Sequence, residues 1–222
     1  LLKDESSAAT AAIAQTAQGG VLNSKYLDHL GTQVLLDRGQ DAYANGKYDV
    51  ALKYFEAALA QPDGQQMRVY NGLYLTHMKL GQTQAAKQDF AQVVGKGLAT
   101  KSLAVKFLFM PNSTDFWSDR QVSGAYDFWL AEIAGQAASS VSCLDVVGHT
   151  SRSGEDDYNK KLSTERAERI RTNMQTMQPK LMTRLSTLGR GWHDNIVGTG
   201  TDDARDAIDR RVEFKVVDCR AG

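Results

Sequence analysis

Proline is scarce in this chain of 222 residues: Pro62, Pro111 and Pro179 are the three. That leaves no room for a Pro-rich linker. Cysteines number two, and a chain of this length can bury a substantial core without many disulfides or a structural metal. No apolar run approaches the 18 residues that a membrane-spanning helix needs. Net charge is zero, with 26 basic and 26 acidic side chains. The balance holds in both parts: residues 1–97 carry 9 of each sign and residues 98–222 carry 17 of each. Bulk charge therefore argues against a nucleic-acid or anionic-membrane partner. The four histidines (His29, His77, His149, His193) are scattered, with no H-x-x-x-H pair or Cys/His cluster to hold zinc. No Gly-x-Ser-x-Gly elbow and no strand-to-helix GxGxxG loop occurs. Catalysis and a bound cofactor are not expected. Leu1–Glu5 lacks a basic region followed by an apolar core. That suits a cytoplasmic protein, or one whose export signal or lipidated cysteine lay before Leu1.

What is present divides the chain. Residues 1–24 are Ala-, Ser-, Thr- and Gln-rich and read as a flexible or helical lead-in. Residues 25–97 read as helical repeats. Gly46-x-Tyr48-x-x-Ala51-x-x-x-Phe55-x-x-Ala58 recurs 35 residues later as Gly81-x-Thr83-x-x-Ala86-x-x-x-Phe90-x-x-Val93. Each unit reads as two short helices around a glycine turn, with small residues allowing close approach and an aromatic filling the gap. The pattern resembles the tetratricopeptide repeat. Tyr26, Leu27 and Leu30 would supply a capping helix. Such helix pairs form a concave surface suited to a protein partner.

Residues 98–222 change period. Val105, Phe107 and Phe109 alternate as a strand. Tyr126, Trp129, Leu130, Ile133, Ala134 and Ala137 have helical spacing. Leu144–Val147 is a strand ending at Gly148, and Ala167, Ile170, Met174 and Met177 mark a second helix. Residues 184–189 read as a third strand and 203–208 as a short helix. Val212, Phe214 and Val216 form a last strand. The expected fold class is α+β: a helical-repeat module, then a β-α-β-α-β-β sandwich of about 120 residues. A polar loop, Gly148-His149-Thr150-Ser151-Arg152-Ser153-Gly154, joins the second strand to the second helix. Ser163 reads as that helix's N-cap, which puts Arg166 in its first turn. There a guanidinium among free backbone N–H groups is suited to a carboxylate or phosphate. Asp202, Asp203 and Asp206 read as an acidic helix start rather than a calcium loop. Cys143 and Cys219 flank the second and last strands. A disulfide and two buried thiols both fit the residues.

Gly148-His149-Thr150, Asn159, Leu162-Ser163, Arg166-Ala167 and Asp209-Arg210-Arg211-Val212-Glu213 together resemble the OmpA-like C-terminal domain. That domain is the peptidoglycan-binding module of outer-membrane proteins and Pal lipoproteins. The resemblance runs from about Leu103 to Val217. It implies a non-catalytic wall anchor in the periplasm, associated with the outer membrane of a Gram-negative bacterium. It places the diaminopimelate carboxylate of the peptidoglycan stem peptide on Arg166. The family's loop aspartate, which takes the diaminopimelate ammonium, falls on Ser151. The first strand also departs, with Phe109-Met110-Pro111 where the family often has Phe-Asp. Asp115 or Asp156 would then be the replacement acid. Thr150, Ser151, Asn159, Leu162, Arg166 and Arg211 are the ligand-site candidates. The oxidising periplasm favours the Cys143–Cys219 disulfide. The rival reading is a protein–protein scaffold of an envelope assembly, its wall site lost with the missing acids.

Overall fold

Two glycines at the same offset set the first half of the chain. The computed structural model describes residues 30–219. Helix α1 (Thr32–Ala44) turns at Gly46 into α2 (Tyr48–Leu59), and α3 (Met67–Lys79) turns at Gly81 into α4 (Thr83–Ala99). Gly46 and Gly81 both have φ of 72°, the left-handed conformation that side chains disfavour. The sequence offset is therefore also a structural one: Tyr48 and Thr83 each open a helix. Ala51, Ala86 and Ala58 are fully buried, and Phe55 and Phe90 nearly so. Phe55 sits against Gly39 of α1 and Gly72 of α3. A Cβ on either glycine would lie 2.6 Å from its ring. Small residues thus let three helices close around one aromatic ring. The lead-in over residues 1–24, and Tyr26 and Leu27 of the expected capping helix, lie outside the described residues.

The chain divides into two compact units between Gln92 and Val93, within α4. In the second unit β1 (Lys106–Leu108) leads to the short α5 (Arg120–Ser123) and then to α6 (Tyr126–Ser139). Next come β2 (Cys143–Gly148), α7 (Asp156–Met177), β3 (Leu185–Gly189) and β4 (Arg211–Val217). A 3₁₀ turn precedes β3 (Pro179–Leu181), and another precedes β4 (Ala204–Asp209). The sheet order is β1-β4-β2-β3. Strand β4 runs antiparallel to both β1 and β2, while β2 and β3 are parallel. Helix α7 packs along β2 and β3, with α6 against it. The alternation expected of the last strand is observed, with Val212, Phe214 and Val216 buried, while in β2 Val147 is buried as well as Leu144 and Val146. Fully buried Phe107 gathers Tyr126, Trp129 and Phe214 within about 6 Å. Tyr126 Oη accepts the N–H of Leu108 at 3.0 Å, fixing β1 to α6.

Because β2 and β4 are antiparallel neighbours, Cys143 pairs with Val217 in register, and Cys219 follows two residues on. The two sulfurs are bonded, with Cα atoms 5.0 Å apart. Of the two states the sequence left open, the disulfide is the one formed. Helix α7 departs from expectation. It starts at Asp156, seven residues before Ser163, with Glu155 at the N-cap position and Asp156 and Asp157 in the first turn. Acidic side chains there suit the positive end of the helix dipole. Ser163 is therefore not a cap, and Arg166 lies in the third turn rather than the first.

Candidate functional site

Gly148 ends β2 where α7 crosses it. A Cβ there would lie 1.9 Å from the carbonyl oxygen of Ser163, so only glycine permits this approach. The loop that follows is held from two sides. His149 N donates to Arg211 O and Thr150 N to Gly191 O, each at 2.8 Å. Ser163 Oγ donates to Lys160 O at 2.8 Å and accepts the N–H of Gly191 at 3.0 Å, so it latches the β3 exit onto α7. Asn159 Nδ2 donates to Ser153 O at 2.6 Å and Glu155 O at 3.1 Å, fastening the far end of the loop. Thr150, Ser151, Asn159 and Leu162 are all buried.

Arg166 is fully buried under this loop. Its Nε donates to Ser113 O at 2.9 Å, Nη1 to His149 O at 3.0 Å and Nη2 to Met110 O at 2.8 Å. Its guanidinium lies 5.4 Å from the centre of the Phe109 ring. Burial, and then the like charge of Arg210, pushes its pKa down to about 10, so it remains a cation at neutral pH. One turn on, Arg169 Nη1 donates to Thr114 O at 2.6 Å and Asp115 Oδ1 at 2.9 Å. Two arginines of α7 therefore hold the segment between β1 and α5. An open hollow of about 590 Å³ lies along α7, lined in part by Thr114, Lys161, Glu165 and Arg169.

Neither Asp115 nor Asp156, the two expected replacement acids, contacts Ser151. Asp115 pairs with Arg169, and Asp156 lies 3.7 Å from His193. Instead Ser151 Oγ donates to Asp202 Oδ1 at 2.6 Å. Arg210 Nη1 donates to the same oxygen at 2.5 Å. Arg210, which immediately precedes β4, is thus the arginine that shares this cluster, rather than Arg211. Neighbouring strand residues point to opposite faces. Arg211 Nε donates to Glu213 Oε2 at 2.9 Å and its Nη2 to Asp194 O at 3.2 Å. The His149 ring also lies toward Glu213, with Nε2 3.4 Å from Oε1. His149 and then Arg211 hold the Glu213 carboxyl well below the usual carboxylate range, against the opposing effect of burial. Arg210 was legible by parity, since it shares a face with Val212, Phe214 and Val216. Asp202 had no such signal: it lies 51 residues from Ser151 in an irregular connection.

That connection is organised by two buried carboxylates. Asp209 accepts the N–H groups of Ile196, Val197 and Gly198 at 2.6–3.1 Å. Asp206 accepts from Thr199 N, Thr199 Oγ1 and Asp202 N at 2.6–2.9 Å. Asp203 caps the 3₁₀ turn by accepting Arg205 N. The acidic run thus starts a helical turn, as its composition suggested. Among the described residues no group of three or more His, Cys, Asp or Glu side chains could hold a metal ion. No described helix is long and apolar enough to cross a membrane.

Comparison with known proteins bears on the second unit. The family model described as OmpA family matches residues 109–209. The peptidoglycan-associated lipoprotein from Burkholderia pseudomallei is 22% identical, with 52% of this chain and 92% of that chain covered and a TM-score of 0.44. The OmpA-like domain of FopA1 from Francisella tularensis subsp. tularensis SCHU S4 is also 22% identical. It covers 50% of this chain and 69% of that one, with a TM-score of 0.39. No curated protein matches the chain. Residues 109–209, within the mixed α+β second unit of this chain, thus match the OmpA family model.

Proposed function

We propose that the protein is a non-catalytic anchor that holds the peptidoglycan stem peptide through its OmpA-family domain. Arg166 takes the diaminopimelate carboxylate. Ser151 stands on the loop where the resemblance puts the ammonium contact, and Thr150, Asn159 and Leu162 shape that loop. Arg211 braces the loop through its carbonyl. The carrying observation is Arg166 itself, a buried cation beneath the loop with only three of its five N–H donors directed to protein carbonyls. A carboxylate reaches it by replacing one carbonyl of the segment between β1 and α5. A charge-assisted fork of this kind is stronger than a neutral hydrogen bond. The helical unit binds a protein partner of the envelope. The setting is the periplasm of a Gram-negative bacterium, at the outer membrane.

The test is co-sedimentation of the full chain with diaminopimelate-containing sacculi. The wild type should pellet. Arg166→Lys keeps the charge but loses the planar fork, and should bind about tenfold or more weakly. Wild-type protein that stays in the supernatant overturns the reading. One observation favours the scaffold alternative: Arg166 has no exposed surface. On that reading it serves only to tie the segment between β1 and α5 to α7, and sacculi fail to bind while a protein partner is retained.

A further inference from the structure

The loop after β2 has Ser151 where the OmpA-like resemblance puts an aspartate, yet a carboxylate stands beside it. Asp202 Oδ1 is anchored twice, by Ser151 Oγ and by the fully buried Arg210. Oδ2 of Asp202 accepts no hydrogen bond from any described residue, and the side chain is 19% exposed. One oxygen is thus fixed to the protein and the other is left for solvent or a ligand. The backbone here is held in an uncommon conformation. Asp202 has φ of 56°, in the left-handed region, and its N–H is tied to Asp206 Oδ2 at 2.8 Å. Arg210 pairs with Asp202, and the charge of each acts on the Arg166 guanidinium. The remaining donors of the Arg166 guanidinium suit a ligand carboxylate, and the free oxygen of Asp202 suits a ligand ammonium.

We infer that Asp202 is the specificity-determining acid of this site, accepting the ammonium of a zwitterionic diamino acid. It does from the β3–β4 connection what Ser151 cannot do from the β2–α7 loop. Ser151 is then a positioning residue, holding the carboxylate by its other oxygen. The inference rests on the peptidoglycan reading above.

The test is a cycle on the full chain with two soluble probes. One is a diaminopimelate-containing stem tripeptide. The other is the same tripeptide acetylated on the diaminopimelate amine. Binding is measured by calorimetry on wild type and Asp202→Asn, with thermal melts beside them. The expected result is that acetylation weakens wild-type binding about 10- to 100-fold and weakens Asp202→Asn less than about threefold. Ser151→Asp combined with Asp202→Asn should restore the acetylation penalty. A purely structural role for Asp202, as counter-ion of Arg210, leaves the penalty equal in wild type and Asp202→Asn. That outcome overturns the inference while the wall-anchor reading stands. Failure of the wild type to bind either probe or sacculi overturns both.

Discussion

Arg210 and Arg211 are adjacent in sequence and opposite in space. Arg210, just ahead of β4, meets Asp202, and Arg211, the first residue of β4, turns the other way and meets Glu213. Ligand assignments based on a motif such as Asp-Arg-Arg-Val therefore depend on parity, which the alternation of Val212, Phe214 and Val216 supplies. Glycine at 148 is set by a contact the sequence does not display, the carbonyl oxygen of Ser163. Gly148→Ala has no conformational escape at that distance, and the strand end or α7 must shift. The expected cost is about 1–3 kcal/mol, as for other overpacked sites. It is measured by urea unfolding, and an unchanged midpoint would show that the strand end yields freely. Because the same shift moves His149 and Ser151, binding should weaken along with stability.

At the scale of elements, the α7 boundary shows why local patterns fall short. Ser163 followed by an apolar-periodic run has the look of a helix start. The acidic turn at Asp156–Asp157 is a better start, and Ser163 is instead satisfied by Lys160 O and Gly191 N. The second of these partners lies 28 residues away in sequence. The β3–β4 connection offers an element-scale prediction. The Asp206 carboxyl is held below its ordinary pKa, first by its hydrogen bond with the Thr199 side chain and then by the Thr199 and Asp202 backbone N–H groups. Glu213 is likewise depressed by His149 and Arg211. A carboxylate with a lowered folded-state pKa stabilises the fold above its unfolded value, roughly 4. That stability is lost as pH falls below this value toward the folded-state pKa. Urea midpoints should hold steady from pH 7 to about 5 and fall below about 4. Asp206→Asn should flatten part of that fall. Since Asp206 also holds the backbone of Asp202, acid should loosen the candidate site along with the loop.

On the scale of the whole molecule, the disulfide and the two-unit division govern stability. Cys143 and Cys219 close 76 residues of the second unit. Reduction should cost that unit on the order of 4 kcal/mol from chain entropy alone. Denaturant unfolding with and without reductant measures it; a shift confined to the transition of the second unit is expected, and no shift would overturn the estimate. Much of this molecule was determined by its sequence alone. The 35-residue recurrence set the two glycine turns and the buried Ala51/Ala86 and Phe55/Phe90 pairs. The change from period 3.6 to period 2 set the order of strands and helices, because both are local consequences of which side chains avoid water. Tertiary structure alone decided the rest. It chose the disulfide over two thiols by placing β2 beside β4. It also brought Asp202 across 51 residues to Ser151. Such pairings join charges and hydrogen-bonding groups from distant segments, and periodicity registers only what neighbours along the chain have in common.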